Sequence, residues 1–501
     1  MESSVKTKRL TRRRFVNRSI SAIAGLTLAS YIPVWAWRRN KKPLNILFLM
    51  CDQHRPDALS IYGDSHAITP ALDRLASSGM SLRQTYCQCP VSVASRNSIL
   101  NGCYTHSNGV ISNAYSANRN LLSFPQVLRA NGYVTACLGK LHTPGREDLD
   151  WDVYIEGHER PAGKMKEGGV VLSGTVNLKS DPAIGAPDPY PMEDTMEWKA
   201  KENTIKFMRE NTDTPWFIQC SFLKPHAPFQ PPQEYWDKID RSRIKIPQFP
   251  PDDLDDCDPR YLNIIKGRGM ENLTRDQILD GMQGYYGNVA FADAMFKEVI
   301  DELDRLNLRE NTLIVYTADH GEMLYDHGLW TKFVFFDSSV RVPLIMSLPG
   351  VIPAGRESDA LVELIDLFPT FMDLTGLNTP GSVQGRSLIP LITGKKQTHK
   401  TSVFSEFPLP GKNSGGGDFH ATLMIYDGRY KLVDNGPDAL PELYDHKKDK
   451  GEFKNIAKLP SQKRRVRKML DEVRSWHNTD LVKNQPTVAE LRRKRQESPD
   501  D

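Results

Sequence analysis

The sequence predicts an α/β fold: a doubly wound, mostly parallel sheet flanked by helices, followed by a small antiparallel sheet and a closing helix. Three observations carry this. The stretches 44–50, 134–138, 215–222 and 312–316 are nearly continuous apolar runs, the pattern of strands buried on both faces. Each run stops at a cluster of polar or charged residues, and the carboxyl ends of parallel strands are where such folds gather ligands. Between the last two lies a long segment, 276–308, with Val289, Ala292, Met295, Val299, Leu303 and Leu306 at helical spacing. Its apolar stripe reads as core, and strand–helix–strand alternation of these lengths is the doubly wound pattern.

Taken in order, the chain opens with Thr11-Arg12-Arg13-Arg14-Phe15-Val16, which resembles a twin-arginine export motif, and a mildly apolar stretch from Ile20 to Val34. With Gly25 and Pro33 inside it, that stretch is short for a transmembrane helix. Residues 1–36 therefore read as an export signal, with Val34-Trp35-Ala36 as its cleavage site. They hold seven basic residues and one acid, so removing them leaves 58 basic against 61 acidic residues. A nearly neutral body gives no case for nucleic acid as a partner. The expected location is the periplasm or the cell exterior. Seven cysteines, from Cys51 to Cys257, lack paired metal spacing and allow at most a few disulfides.

The first apolar run ends at Asp52-Gln53-His54-Arg55, where Asp52 is either a hard-cation ligand or a cap of the next turn. At Ser92-Val93-Ala94-Ser95-Arg96 small polar residues sit at the mouth of a helix running to Leu100. A helix start favours anions, and Arg96 adds a fork suited to oxyanions. Lys140 and His142 follow the second run, and His226 follows the third in Lys224-Pro225-His226. Asp319-His320 ends the fourth, and Lys332 lies just beyond. Residues 150–200, rich in Gly, Pro and charge, read as an irregular insertion. After a flexible glycine-rich tract at 411–417, short strands at 421–426, 430–433 and 442–444 predict the small sheet, and a basic helix over 460–476 closes the ordered part. A catalytic domain over 43–395, a C-terminal subdomain over 400–484 and a charged tail over 485–501 are the expected divisions.

Ser92-Val93-Ala94-Ser95-Arg96 followed by Leu100-Asn101-Gly102 resembles the sulfatase signature, which is Cys or Ser, any residue, Pro or Ala, any residue, Arg, then Leu-Thr-Gly. Ala94 departs from the commoner Pro, Asn101 from Thr, and Ser92 from Cys. The resemblance extends over roughly 43–457: Asp52-Gln53 and Asp319-His320 match the two metal pairs of that family, and Lys140 and His142 its Gly-Lys-x-His motif. His226 matches Lys-Pro-His-x-Pro-Phe and Lys332 matches His-Gly-x-x-x-Lys, while Arg341-Val342-Pro343, Asp366-Leu367-Phe368-Pro369-Thr370 and Leu443-Tyr444-Asp445 complete the order. The resemblance implies an alkaline-phosphatase-like fold, and a formylglycine made from Ser92 by a serine-type maturase. It also implies a substrate that is a sulfated small molecule or oligosaccharide.

These residue types suit sulfate-ester cleavage. Oxygens from Asp52, Gln53 and Asp319 suit Ca²⁺, while His320, an unusual calcium ligand, keeps Mg²⁺ and Mn²⁺ open. Arg96, Lys140 and Lys332 would neutralise the sulfate, with His226 or Lys332 protonating the leaving alcohol and His142 taking the second hydroxyl's proton. His54, Arg55, the 150–200 insertion and the 411–417 loop are expected to line the pocket beyond the sulfate. Twin-arginine export, which carries folded proteins, suits a chain modified and metal-loaded before it leaves the cytoplasm. Two other readings stand beside this one: a phosphate or phosphonate ester hydrolase using unmodified Ser92, and a non-catalytic sulfated-glycan-binding relative.

Overall fold

The structure, a computed structural model, describes residues 42–156, 183–410, 419–437 and 439–478. The export segment, most of the 150–200 insertion, the 411–417 loop and the 485–501 tail lie outside the described residues. Nine strands form the main sheet: β1 (Asn45–Asp52), β2 (Met80–Tyr86), β3 (Val134–Gly139), β4 (Val153–Ile155), β5 (Trp216–Pro225), β6 (Thr312–Ala318), β7 (Arg341–Val342), β8 (Leu344–Ser347) and β9 (Arg356–Glu363). Their order is β4-β3-β5-β1-β6-β8-β2-β7, with β9 added beside β2. β1 runs parallel to both β5 and β6, and β3 is parallel to β4 and β5. Of the longer strands only β8 runs against its neighbours β6 and β2.

Why the first apolar run is continuous is visible in its packing. Ile46, Phe48 and Met50 belong to one core cluster, whereas Leu47, Leu49 and Cys51 belong to another. Side chains alternate across a strand, so a strand covered on both faces needs apolar residues at every position. Each such side chain contributes about 1.5–3 kcal/mol by leaving water. Phe124, Phe217 and Phe371 close around Phe48 on the first face, and Phe222 and Phe296 stack at 4.2 Å on the second.

Helix α1 (Ser92–Asn101) is buried at all ten positions. It ends at Gly102, whose left-handed backbone (φ 64°) and tight contacts with Val383 and Phe368 leave no room for a side chain. Helix α2 (Met196–Glu210) starts inside the segment expected to be irregular, with the Thr195 hydroxyl accepting from Trp198 N–H. Its period was hidden because two charged residues, Glu197 and Lys201, are themselves buried on its apolar face. The predicted long helix is α3 (Arg275–Arg305), opened by a capping box between Thr274 and Gln277. Val289, Ala292, Met295, Val299 and Leu303 are all buried, as its spacing requires. Gly281, Gly284 and Gly287 make a bare seam on α3: a Cβ on Gly284 would sit 2.2 Å from the Phe229 carbonyl oxygen. The chain after β5 is thereby laid directly on the helix backbone.

The second sheet has four antiparallel strands, β10 (Val403–Pro410), β11 (Phe419–Tyr426), β12 (Tyr430–Asp434) and β13 (Glu442–Asp445). β10 escapes a sequence reading because Pro408 and Pro410 argue against a strand; it is an edge strand, where proline is tolerated. The basic helix α4 (Lys463–His477) buries Met469 and Val473 against Leu423, Ile425, Leu432 and Leu443. Phe404 N–H donates to Glu363 at 2.9 Å and Glu406 N–H to the Gln88 carbonyl at 2.9 Å, which binds this sheet to the first. All seven cysteines are free. No described helix is long and apolar enough to cross a membrane.

Candidate active site

The site forms where several strand ends meet. β1 and β6 are parallel and in register, Cys51 beside Ala318. Their next residues, Asp52 and Asp319, therefore leave the sheet side by side. Gln53 turns the chain at once through a positive φ of 65°, and its N–H donates to Asp319 Oδ1 at 3.1 Å. Lys140 follows β3, held by its N–H to the Ser221 carbonyl at 2.8 Å. His226 follows β5, its N–H 3.2 Å from the Asp52 carbonyl. Ser92 opens α1, the helix that β2 leads into.

Within this ring Ser92 Oγ lies 3.0 Å from His320 Nε2. That same nitrogen is 3.6 Å from Asp52 Oδ1 and 3.6 Å from Asp319 Oδ1. Arg96 donates from Nε to Asp319 Oδ2 at 2.7 Å and from a terminal nitrogen to Ser221 Oγ at 3.0 Å. Lys140 Nζ is 2.7 Å from Asp52 Oδ2, and Lys332 Nζ donates to Gln53 Oε1 at 2.6 Å while lying 4.0 Å from Asp52 Oδ1. His226 Nε2 stands 4.0 Å from Asp52 Oδ1. His142 enters through a positive φ of 51°, and its Nδ1 is buried without a hydrogen-bond partner. These distances join nine of the ten residues singled out from the sequence, and His142 lies close enough to feel the charges of Lys140, Asp52, Arg96 and Asp319.

Charge decides what that neighbourhood can hold. Burial alone would favour the neutral Asp52 acid, but Lys140, His226, Lys332 and His320 outweigh it and hold the carboxyl well below its usual range. Burial pushes the His320 imidazole down to about 4. It does the same to His142, with Lys140 adding to the effect, and His142 also falls to about 4. Burial and then Lys332 depress His226 well below the ordinary histidine range. Lys332 itself is lowered to about 8, chiefly by burial. Asp52 and Asp319 face Arg96, Lys140 and Lys332, and the buried Glu322 behind Gln53 is a third carboxylate sensed by Lys332. The three cations are matched by three acids, so a divalent cation bound here would tip the balance positive and favour an anion beside it.

The donors also fit a divalent cation. Both oxygens of Asp52 are buried and lack a hydrogen bond of good geometry, although Lys140 is close to one of them. His320 Nδ1 faces the Gly321 carbonyl at 3.0 Å, which assigns the proton to that nitrogen and leaves the Nε2 lone pair aimed between the two carboxylates. Ligand atoms sharing one cation at roughly 2.3–2.6 Å stand a little over 3 Å apart at right angles, close to the 3.6 Å from His320 Nε2 to an oxygen of each carboxylate. Asp52, Asp319 and His320 would hold the ion. The Gln53 amide lies beside them, its oxygen toward Lys332.

One part of the sequence reading is corrected and one residue is added. His54 does not line a pocket: it is buried, with Nδ1 on the Tyr316 hydroxyl and Nε2 3.2 Å from the Ala58 carbonyl. The left-handed turn at Gln53 sends it back into the fold. Arg55 is paired with Asp326 at 2.8 Å and borders a cavity of about 740 Å³ shared with Arg83, Phe249 and Arg341, which none of the ten site residues lines. The residue missed is Glu322. Fully buried, it accepts from Gln53 Nε2, from Leu324 N–H at 2.9 Å and from Thr331 N–H at 2.6 Å. It fixes which way the Gln53 amide points. Its place directly after Asp319-His320-Gly321 was the available signal.

Comparison with known proteins agrees with this geometry. The sulfatase family model matches residues 44–377, and the C-terminal model for N-sulphoglucosamine sulphohydrolase matches 325–479. The chain therefore belongs to the sulfatase family, and it is a sulfuric ester hydrolase. Choline-sulfatase of Rhizobium meliloti is 27% identical over 438 residues, covering 83% of each chain. N-acetylglucosamine-6-O-sulfatase of Bacteroides thetaiotaomicron is 26% identical, covering 93% of this chain and 92% of its own. Among solved structures, a phosphonate monoester hydrolase from Silicibacter pomeroyi superimposes with a TM-score of 0.74 at 25% identity, over 88% of this chain and 96% of the other.

Proposed function

We propose that the enzyme hydrolyses the sulfate ester of a sulfated carbohydrate, using a formylglycine made from Ser92 and one divalent cation, Ca²⁺. The observation that carries this is the place of Ser92: first in a buried helix, 3.0 Å from His320 Nε2, beside the Asp52 and Asp319 carboxylates and the cations that pair with them. The sugar assignment is supported by the N-acetylglucosamine-6-O-sulfatase relative and by the C-terminal match. Oxidised and hydrated, the side chain at 92 offers one hydroxyl to attack sulfur and a second whose deprotonation expels sulfate, and a cation held by Asp52, Asp319 and His320 would supply Lewis acidity toward a sulfate oxygen.

The other groups bind and move protons. Arg96, Lys140 and Lys332 neutralise the sulfate oxygens. Of the two candidates for protonating the leaving alcohol, Lys332, lowered to about 8, carries the proton, whereas His226, depressed by burial, would first have to gain one. His142, neutral at working pH with an open Nδ1, takes the proton of the second hydroxyl. Protein made with a serine-type maturase should give a Ser92 peptide lacking two hydrogens by mass spectrometry, and should release sulfate from sulfated hexosamines faster than phosphate from matched esters.

A second reading is favoured by one contact. Ser92 Oγ to His320 Nε2 at 3.0 Å is also the geometry of a hydroxyl activated by a base, as a phosphonate or phosphate ester hydrolase with bare Ser92 would need. Full turnover by protein whose Ser92 peptide is unmodified would promote it. We further propose that residues 1–36 direct export through the twin-arginine machinery, placing the enzyme in the periplasm or outside the cell. Replacing Arg12 and Arg13 with Lys should retain it in the cytoplasm on cell fractionation. Undiminished periplasmic enzyme would show the segment has another role.

A further inference from the structure

Arg268, the last residue of the helix Pro259–Arg268, is a half-buried guanidinium that forms no ion pair among the described residues. It donates to Thr331 Oγ1 at 3.0 Å, and its Cζ lies 5.3 Å from the centre of the Phe333 ring. No carboxylate of the described residues lies within ion-pair distance of it. The buried guanidiniums are paired, Arg96 with Asp319 at 2.7 Å, Arg55 with Asp326 at 2.8 Å and Arg146 with Asp150 at 3.2 Å. Half-buried Arg309, which precedes β6 at the end away from the site, is held instead by Thr312, Ser78 and Ser347 oxygens. Burial lowers the pKa of Arg268, and the opposing charge it senses is Glu322. That carboxylate is already committed to Gln53, Leu324 and Thr331. A helix C-terminus favours a cation by only about 0.3–1 kcal/mol, less than desolvating one costs.

Its neighbours point to the active site. Thr331 and Phe333 flank Lys332, whose Nζ reaches Gln53. Both take left-handed backbone, φ 75° and 83°, at a cost of about 1–3 kcal/mol each for side chains of this kind. Such strain persists where the surroundings enforce it, and here it aims Lys332 inward. The Phe333 ring remains partly exposed and packs on Phe407 at 5.9 Å. Arg268 and this ring thus make one cationic and aromatic face on the residues next to Lys332.

We propose that Arg268, with Phe333 beside it, binds a second anionic group of the substrate, a further sulfate or a carboxylate, while the first sulfate is cleaved at Ser92. The proposal rests on the sulfated-carbohydrate reading above. Its test uses the matured full-length enzyme and, for each hexosamine sulfate it hydrolyses, three forms: the monosulfate, the N,O-disulfate and the disaccharide linked to a uronic acid. Wild type should prefer one of the doubly charged forms, and which one it prefers identifies the source of the anion. Arg268→Ala should raise KM for that form by about 10- to 100-fold more than for the monosulfate, the effect of losing a hydrogen bond between charged partners, with a smaller change in kcat. Arg268→Lys should recover part of the loss, and the exposed Lys266→Ala on the same helix should change neither. Equal losses on all forms, or no loss, would overturn the proposal while leaving the sulfatase reading intact. So would a wild type without preference for a second anion. Release of no sulfate from any sugar would overturn both.

Discussion

Ser92→Ala is expected to lower sulfate release by on the order of 10⁴-fold or more, the scale seen when a nucleophile is removed from a group that acts as a unit. The substitution deletes the one oxygen that lies 3.0 Å from His320 Nε2 and leaves the surrounding charges in place. Stability should change little, because the helix that begins at this residue keeps its packing. Ser92→Cys is the informative companion. It should be active only where a cysteine-type converting enzyme is present, since a bare thiol has no second hydroxyl with which to release sulfate. Steady-state sulfate release and peptide mass spectrometry, run on the same preparations, check both. A Ser92→Ala variant with more than a few per cent of wild-type activity would remove Ser92 from the mechanism.

Asp52→Ala should cost both the cation and stability. Asp52 supplies two buried oxygens that make no well-formed hydrogen bond, and it is the charge toward which Lys140, Lys332, His226 and His320 converge. Without it the cations confront one another across a buried space, a loss of about 3–5 kcal/mol by analogy with broken buried ion pairs. Metal analysis should find the variant depleted of the divalent ion. Added Ca²⁺ should raise the melting temperature of wild type and not of the variant, with about 2.7 kcal/mol of stabilisation available at a hundredfold excess over Kd. A variant that retains the ion and melts like wild type would move the cation site elsewhere.

How much of this was legible in the sequence depended on how local the physics was. A strand buried on both faces writes itself as an unbroken apolar run, so β1, β3, β5 and β6 were readable, and so were the polar residues stopping each run. The long helix α3 was readable for the same reason, since its buried face recurs with the helical period. What depended on distant partners was not. β2 and β9 pair in parallel across more than two hundred residues, and neither carries a continuous apolar run. Arg268 reads as an ordinary basic residue before a glycine; only the fold reveals that it has Thr331 and Phe333 for company and no ion-pair partner among the described residues. His54 failed in the opposite way, because its position in a ligand-rich stretch says nothing about where the backbone at Gln53 sends it.

The complete burial of α1 imposes a schedule on the making of the enzyme. Ser92 is 1% exposed, and every residue through Asn101 is enclosed. On the proposed conversion of Ser92, the oxidising enzyme must take hold of the peptide around it, which the finished fold does not offer. Modification would then compete in time with folding: a chain that collapses first would seal an unconverted serine inside itself and stay inactive without unfolding. On this view, the yield of working enzyme from a culture is set by the ratio of two rates, that of the maturase on the nascent segment and that of the sheet closing over it. Slowing the second, by a lower growth temperature or by a destabilised core, should raise the converted fraction even though the final protein is no more stable.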